Sequence, residues 1–395
     1  MLNRFLAHAI ILALVGFAVL AVPAGARGQT TQTTQTTQTT PAKAAIVLDM
    51  TSGAVLLEKD ADTPLPPASM SKLMTLEVVF DALAKGRLAL EDEFRVSERA
   101  AAMGGSKMFI RSGGLVSVAD LLRGVIVQSG NDSAVALAEA ISGTEEAFAQ
   151  LMNQRARELG LTDTHLTNAT GWPDPEHRMS VRDLARLSEH IIRDYPDYYP
   201  IFAETEFTWA DITQRNRNPL FDSGLGADGL KTGHTEEAGY GLAASARRGE
   251  RRIIVVIAGL ESAGQRRQEA ERLLNWAFRA FDTVRLYEAG VPVAEAETWL
   301  GAAGRVALVP ARDLVVTVPQ GMLERAEIRA HFREPVLAPV AAGAELGRLE
   351  AVLPEVQPVS VPLIAAEAVG EGGIRARLEA AARLLLGRVL ASLGG

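Results

Sequence analysis

The chain has 395 residues, of which 48% are hydrophobic, and it carries a formal net charge of −8. This length and composition predict two or three domains with sizeable cores. Because acidic and basic residues are interspersed, the chain lacks the basic patch of a nucleic-acid partner, and its lack of cysteine excludes disulfides and thiol nucleophiles. Its six histidines show no metal-ligand spacing, so we expect neither a metal nor another cofactor.

The N-terminal residues 1–26 have the features of a secretory signal peptide. An apolar run, Ala9–Val22, ends at Pro23, and Ala24-Gly25-Ala26 fits a small-residue cleavage site. A retained N-terminal anchor is the alternative, although the run is shorter than the ~20 residues of a membrane span. The Thr/Gln-rich residues 27–43 predict a disordered linker.

Strands and helices are predicted for residues 44–281 from hydrophobic periodicity, capping residues and turn residues. The predicted strands are Ala44–Met50, Ala54–Lys59, Gly229–Thr235, Tyr240–Arg247 and Ile253–Leu260, and the predicted helices are those that begin at Ser69, Ser117, Ser133, Thr144, Ser180 and Ser262. Arg215–Gly229 is polar and irregular. The order predicts an α/β domain whose central sheet is built from both ends of this region.

The pattern changes near Thr283. Short alternating runs separated by Gly and Pro, such as Arg305–Val309 and Glu345–Leu353, predict a small β-sandwich or barrel. The last segment, Ile374–Leu393, has a helical composition, with an apolar strip flanked by arginines. Such a helix suits a membrane interface, and the alternative is a helix packed on the protein's own surface.

A candidate nucleophile and base lie at the start of the first predicted helix. Ser69 and Lys72 are three residues apart and therefore share a helix face. A serine hydroxyl needs an adjacent base to act as a nucleophile. A lysine serves as that base if burial and a second cation keep it neutral, so the chain must supply both.

Three short motifs follow one another at predicted element ends: Ser69-Met70-Ser71-Lys72, Ser129-Gly130-Asn131 and Lys231-Thr232-Gly233. Each alone has an ordinary explanation, namely a solvated helix face, a turn and a strand end. Together and in this order they match the motif set of penicillin-binding proteins and class A β-lactamases.

The sequence resembles the serine-type D-alanyl-D-alanine carboxypeptidase family, which are low-molecular-mass penicillin-binding proteins of the peptidase S11 type. The resemblance lies in residues 67–75, 106–110, 128–133, 229–235 and 271–279. It implies an α/β (α+β) penicillin-recognising serine acyltransferase fold, β-lactamase-like, followed by a small all-β domain and a C-terminal amphipathic helix.

The resemblance also implies a division of the chain and a location. We expect a signal peptide (1–26), a linker (27–43), a catalytic domain (44–282), a β-rich domain (283–369) and a membrane-anchor helix (370–395). The exported protein would lie in the periplasm or on the outer face of the cytoplasmic membrane, held to the membrane surface by its last helix.

The expected catalytic residues are Ser69, Lys72 and Ser129. Ser69 attacks the carbonyl between two D-alanines, Lys72 takes its proton, and Ser129 relays a proton toward the leaving amine. Lys231 is expected to be the second cation that keeps Lys72 neutral. With Thr232, it would also bind the terminal carboxylate of the substrate.

The other expected site residues bind or orient the substrate. Asn131 would hold the base or the peptide amide, and Gly233 would let substrate lie against the strand edge. The backbone N–H groups of Ser69 and His234 are expected to form the oxyanion hole, so the ring of His234 is not assigned as a base. Arg266 is a candidate second carboxylate anchor, and a plain surface arginine is the alternative.

The resemblance implies that the protein removes the terminal D-alanine from peptidoglycan pentapeptide stems and that β-lactam antibiotics acylate and inhibit it. A D,D-endopeptidase, a β-lactamase and a non-catalytic penicillin-binding sensor are alternatives. Glu176 is the only glutamate between residues 160 and 180 and lacks the Glu-x-x-Leu-Asn pattern, which weakens the β-lactamase. The predicted second domain and anchor helix weaken the endopeptidase, and the intact motifs weaken the sensor.

Overall fold

The structure is a computed structural model that describes residues 38–354, 356–374, 376–378 and 380–382. They form two compact units, the first ending at Ala280 and the second beginning at Phe281. The predicted signal peptide and all but the last residues of the predicted linker lie outside the described residues. Within the described ranges, no helix is both long and apolar enough to cross a membrane.

The first unit mixes helices and strands around one sheet. In chain order its elements are β1 (Ala44–Asp49), β2 (Ala54–Lys59), α1 (Lys72–Ala84), β3 (Glu93–Arg95), α2 (Glu98–Ala102), β4 (Leu115–Ser117), α3 (Val118–Ile126), α4 (Asn131–Ser142), α5 (Glu145–Glu158), α6 (Val181–Asp194), β5 (Glu206–Trp209), β6 (Ile212–Arg215), β7 (Ala227–Thr235), β8 (Gly239–Arg248), β9 (Arg251–Leu260) and α7 (Ala263–Ala280). A 3₁₀ turn, Ala68–Ser71, leads directly into α1.

The central sheet has the strand order β2-β1-β9-β8-β7 and is antiparallel throughout. Its middle strand, β9, is fully buried from Ile253 to Ile257, as the continuous apolar run predicts. The predicted hairpin β1–β2 is confirmed. Strand β7, which carries the third motif, lies at one edge of the sheet.

Capping residues mark the helix starts as predicted. Ser117, Thr144 and Ser180 each accept a hydrogen bond from the backbone N–H three residues on. Helix α4 differs, because it begins at Asn131 rather than at the predicted Ser133. The turn-forming residues suggested a break, but the side chains of Asn131 and Asp132 bond to a neighbouring loop and leave the helical backbone intact.

The β5–β6 hairpin was not predicted. Its strands are short and mostly exposed, so they lack a strong apolar pattern. Its turn residues, Ala210 and Asp211, both have positive φ angles. Such turns normally contain Gly or Asn, and this turn contains neither. The stretch predicted to be irregular, Arg215–Gly229, contains a 3₁₀ turn and the start of β7.

The second unit is rich in β-structure, as predicted. Its strands are β10 (Phe281–Tyr287), β11 (Ala294–Trp299), β12 (Arg305–Pro310), β13 (Leu314–Pro319), β14 (Glu327–Phe332), β15 (Val336–Leu337), β16 (Glu345–Leu353) and β17 (Val356–Ala365). Six of them form a sheet in the order β14-β16-β17-β12-β11-β15, and β10 pairs with β13. Leu308, Val316, Leu349 and Leu363 lie in its core.

Strand β17 was missed because Pro358 and Pro362 argue against an inner strand. It tolerates them because it pairs with β12 only over its last residues, Leu363–Ala365.

The described residues between positions 374 and 382 are helical. The side chains of Ile374 and Leu378 are 79% and 66% exposed. The rest of the predicted anchor helix lies outside the described residues.

Candidate active site

Ser69 lies in the 3₁₀ turn that precedes α1, and it is half-buried. The turn begins at Ala68, whose φ of 47° is left-handed, and the Ser71 hydroxyl donates to the Ala68 carbonyl oxygen. Gly171 packs against this carbonyl so closely that a Cβ there would lie 2.0 Å from the oxygen. The turn is therefore held both from within and from a second loop.

Lys72 is fully buried one turn after the serine. Its Nζ lies 2.9 Å from the Ser69 Oγ, 2.7 Å from the Asn131 Oδ1 and 2.5 Å from the backbone oxygen of Thr170. The Asn131 Nδ2 donates to the Gly104 carbonyl, which assigns Oδ1 to the lysine. Two of the three partners can thus only accept, so a neutral Nζ would donate to both and accept from the serine hydroxyl.

The surroundings of Lys72 favour this neutral form. Burial, and then the positive charge of Arg217, lower the pKa of Lys72 to about 7, against the opposing charges of Asp132 and Glu145. Lys231, the predicted second cation, also bears on Lys72, because the two charges act on each other; that it keeps Lys72 neutral stays a prediction. Arg217 is a further cation beside the base that no sequence pattern indicated.

Lys231 lies on β7 and is also buried. Its Nζ donates to the Ser129 Oγ at 2.8 Å and to the Thr232 carbonyl at 3.2 Å. Burial, followed by the charges of Lys72, Arg217 and Arg266, holds the pKa of Lys231 well below its usual range. The second motif thus meets the third through a serine and a lysine, and four basic side chains act on one site.

Asp132, the residue that follows the second motif, fixes the 106–110 segment. The Asp132 carboxylate accepts hydrogen bonds from the backbone N–H groups of Met108, Phe109 and Ile110. Phe109 has a φ of 68°, a conformation that costs energy for a bulky residue and is stabilised here by these bonds. The two sequence segments of the resemblance are therefore parts of one structural unit beside the base.

Arg217 is the functional residue that the sequence analysis missed. It lies between Asn216 and Asn218, whose side-chain amides donate to the backbone carbonyls of Glu204 and Gly229. The Arg217 guanidinium donates to the Ser106 hydroxyl at 2.5 Å. It sits in the stretch predicted to be irregular, where no spacing or periodicity marks a function. The Asn-Arg-Asn sequence was the available signal.

Strand β7 lies directly against the nucleophile turn. A Cβ at Gly233 would lie 2.8 Å from the Pro67 carbonyl oxygen and 3.2 Å from the Met70 nitrogen. Gly233 is thus required for the contact between strand and turn, a use that the sequence did not indicate, and its predicted use in admitting substrate stays a prediction. Thr232, beside it, is buried.

His234 and Arg266 flank the same strand. The exposed His234 ring stacks on Tyr240 with ring centroids 3.9 Å apart, and the Arg266 guanidinium lies 5.7 Å from the centroid of the same tyrosine ring. The buried Nε of Arg266 has no hydrogen-bond partner in the part of the chain that the structure describes. Arg266 therefore belongs to the surroundings of the site, since its charge also lowers the pKa of Lys231.

The structure joins the side chains of five of the nine expected site residues by hydrogen bonds in two clusters: Ser69, Lys72 and Asn131 in one, and Ser129 and Lys231 in the other. Thr232, Gly233 and His234 follow on the same edge strand. A serine and two buried lysines at the edge of an antiparallel sheet covered by helices define the class of serine enzymes that recognise penicillins.

Family comparisons give the same class. Residues 30–262 match the peptidase S11 family, described as D-alanyl-D-alanine carboxypeptidase, and residues 281–371 match the C-terminal domain of penicillin-binding protein 5. Because the first match spans more than half of the chain, this protein belongs to the D-alanyl-D-alanine carboxypeptidase family. The predicted family and fold class are thereby confirmed.

Individual relatives agree. The chain is 40% identical over 345 residues to D-alanyl-D-alanine carboxypeptidase DacC of Escherichia coli, a match that covers 85% of this chain and 86% of that protein. Penicillin-binding protein 5 of Haemophilus influenzae is structurally similar with a TM-score of 0.81 and 38% identity, over 85% of this chain and 100% of that one. The ampicillin-bound form of penicillin-binding protein D2 from Listeria monocytogenes has a TM-score of 0.57 and 29% identity, over 62% of this chain and 100% of that one.

Proposed function

We propose that this protein removes the terminal D-alanine from peptidoglycan stem peptides through an acyl-enzyme on Ser69. The observation that carries the proposal is the 2.9 Å contact between the Ser69 Oγ and the Nζ of a buried lysine whose two other partners can only accept. A lysine in this setting is ready to take the proton of the serine hydroxyl. The names of the relatives, D-alanyl-D-alanine carboxypeptidases, support the substrate.

In the first half of the reaction, the Ser69 oxygen attacks the carbonyl between the two D-alanines and its proton passes to Lys72. The C–N bond then breaks, and the proton held by Lys72 passes to the leaving amine, which returns Lys72 to its neutral form. Ser129, which is hydrogen-bonded to Lys231, is the proposed relay for that proton. In the second half, neutral Lys72 takes a proton from water as the water attacks the ester, and it gives this proton to the Ser69 oxygen as the ester bond breaks.

The developing oxyanion needs N–H donors that are already in place. We assign this role to the backbone N–H groups of Ser69 and His234. Their elements support the assignment, since β7 packs against the nucleophile turn at Gly233 and leaves little room for the turn to move. The ring of His234 is stacked on Tyr240 and takes no part in the assignment.

The terminal carboxylate of the substrate is assigned to Lys231 and Thr232, with Arg266 as a second anchor. No carboxylate is ion-paired with either buried lysine among the described residues, so the positive charge of the site is available to a ligand. A β-lactam also carries a carboxylate beside a reactive carbonyl. The ampicillin-bound relative supports the proposal that β-lactams acylate Ser69.

We also propose the location and division of the chain that the sequence predicts. The apolar N-terminal run supports export to the periplasm or the outer face of the cytoplasmic membrane. The exposed Ile374 and Leu378, four residues apart, support a helix that begins at Ile374, within the predicted anchor segment 370–395, and lies on a membrane surface. The proposed domains remain residues 44–282 and 283–369.

The test is D-alanine release from a diacyl-lysyl-D-alanyl-D-alanine peptide by the purified protein, with a penicillin-treated control. We expect release that penicillin abolishes, together with a penicillin adduct on the tryptic peptide that contains Ser69. Hydrolysis of penicillin without D-alanine release would contradict the proposal in favour of a β-lactamase. A stable adduct without release would favour an endopeptidase or a sensor.

A further inference from the structure

The backbone carbonyls of two consecutive residues, Ala169 and Thr170, accept hydrogen bonds from side chains of helix α1. The Lys72 Nζ donates to the Thr170 carbonyl at 2.5 Å, and the Thr75 hydroxyl donates to the Ala169 carbonyl at 2.7 Å. Lys72 and Thr75 are three residues apart on α1 and therefore share a face. The loop is thus joined to α1 at two adjacent points, one of which is the proposed base.

A buried carboxylate holds the same loop from a second helix. The Ala169 N–H donates to the Glu145 Oε1 at 3.0 Å, and Glu145 is the first residue of α5. The Glu145 side chain is only 7% exposed. Ala169 is fully buried, and both of its backbone polar groups have side-chain partners, Glu145 and Thr75. Because burying an unpaired backbone group is costly, these two side chains fix the position of Ala169.

Arg99, on helix α2, binds the carboxylate in turn. Its guanidinium donates to the Glu145 Oε2 at 2.7 Å and to the Glu146 Oε1 at 2.9 Å. The second oxygen of the buried Glu145 carboxylate is therefore ion-paired, while the first accepts the loop N–H. With both oxygens used, Glu145 keeps one orientation.

The ion pair between Arg99 and Glu145 connects the two supports of the base. One support is Asn131, whose Nδ2 donates to the carbonyl of Gly104, two residues after the end of α2. The other support is the Thr170 carbonyl, on the loop that Glu145 holds. These are the two partners of the lysine that can only accept a hydrogen bond, so the ion pair bears on both.

Glu145 acts on the base through its charge as well. Its carboxylate and that of Asp132 raise the pKa of Lys72, against burial and the charge of Arg217. The other titratable groups on which the Lys72 charge acts are Lys231 and His177. Of the two carboxylates, Glu145 is the one that also holds the loop of Thr170.

We propose that Glu145 is a positioning residue for this reaction: it holds the Thr170 carbonyl on the base and supplies part of the negative charge that the base experiences. Thr75 contributes to the geometry alone, because its hydroxyl is uncharged. The two contributions therefore have different effects on the pH dependence of acylation. This inference rests on the proposed carboxypeptidase function, since it concerns the residue that deprotonates Ser69.

The experiment measures the rate of Ser69 acylation by a penicillin in the full-length protein from about pH 5 to about pH 9. Glu145→Gln keeps an oxygen for the Ala169 N–H and removes the charge. Loss of the negative charge destabilises the protonated lysine, so the acidic limb should move to lower pH by about 0.5 unit. The plateau rate at high pH should stay within about twofold of wild type, because the hydrogen bond is kept.

The variants of Thr75 test the geometry without a change of charge. Thr75→Val has nearly the same shape but leaves the buried Ala169 carbonyl unpaired. Its plateau rate should fall about tenfold while the acidic limb stays at the wild-type pH. Thr75→Ser keeps the hydroxyl and should restore the plateau. Glu145→Ala removes both contributions and should show both changes.

Glu146→Gln is the matched control. Glu146 lies in the same helix turn as Glu145 and pairs with the same arginine, but its side chain is 66% exposed and the Ala169 N–H goes to Glu145 instead. Its acylation profile should match that of wild type. Glu145→Gln and Thr75→Ser preserve shape and hydrogen bonding, so the test stays decisive if Glu145→Ala does not fold.

The failures are distinguishable. An acidic limb that stays in place in Glu145→Gln, or that moves as far in Glu146→Gln, would overturn the proposal and leave the carboxypeptidase intact. A wild-type plateau rate in Thr75→Val and Glu145→Ala would overturn it equally, because the loop would then not position the base. Wild-type protein that neither reacts with penicillin nor releases D-alanine would overturn the proposed function and this inference with it.

Discussion

The two buried lysines of the catalytic unit have differently built surroundings. Lys72 is held by three partners from three segments, two of which, Asn131 and Thr170, can only accept. Lys231 has one hydroxyl partner and one carbonyl of the adjacent residue on its own strand. Both have lowered pKa values, for which burial is the first cause.

This difference indicates that the two lysines have different functions. A side chain with every hydrogen-bonding position used keeps one geometry, which suits a base that must face one hydroxyl. A side chain with a spare position can turn to an incoming carboxylate without losing its other contacts. The following predictions test whether the base and the carboxylate anchor are separate in this way.

The largest expected effect is on the nucleophile and base. Ser69→Ala should leave the fold intact and abolish acylation by penicillin, and Lys72→Ala should slow acylation by about 10³-fold or more, because no other base contacts Ser69 in the described structure. Intact-mass spectrometry measures the adduct. Near wild-type acylation of either variant would refute the assignment.

A smaller effect on activity is expected at Lys231, the proposed carboxylate anchor. Lys231→Ala should lower kcat/KM for D-alanine release by about 10- to 100-fold, the worth of a charge-assisted hydrogen bond, with much of the loss in KM. Lys85→Ala, an exposed lysine of the same unit, is the matched control. A loss in Lys231→Ala that falls on kcat alone would mean that the two lysines share the base function.

The support of the nucleophile turn can be tested with a pair of glycines. Gly171→Ala should destabilise the protein by about 2–4 kcal/mol and slow acylation, since its Cβ would collide with the Ala68 carbonyl. Gly143→Ala has a similar positive φ but open space around its Cβ, so it carries the backbone cost alone. Thermal unfolding and acylation rates that match in the two variants would show that the contact does not position Ser69.

The smallest effect is a shift in pH dependence. Removing the charge in Arg217→Ala should raise the pKa of Lys72, so the acidic limb of the acylation profile should move to higher pH. Arg217→Lys keeps the charge and should move the limb less. An unmoved limb in Arg217→Ala would show that the charge of Arg217 does not set the pKa of Lys72, and it would leave Lys231 as the cation that acts on the base.

The sequence predicts those parts of the site that depend on side-chain type and spacing. Ser69 and Lys72 share a helix turn, and the serine and lysine of the other two motifs meet as the motif set implies. Backbone groups are not visible in this way: the Thr170 carbonyl is one of three partners of the base, yet any residue could supply it. Arg217 was missed because only the fold brings it to Ser106.

The elements of the fold could likewise be predicted only where they leave a pattern in the sequence. Buried strands such as β9 and capped helices such as α5 were predicted, because burial and capping leave a pattern in the sequence. The exposed β5–β6 hairpin and the proline-containing β17 leave no such pattern. Gly233 has a use that the sequence did not indicate, since its lack of a side chain permits packing against Pro67.

The most direct test of the account is the rate of acylation of Ser69 by a penicillin, measured in the wild-type protein from about pH 5 to about pH 9. Because only neutral Lys72 can accept the proton, the account predicts a rate that falls as pH decreases through the lysine pKa of about 7. A rate that is constant across this range would contradict a lysine base.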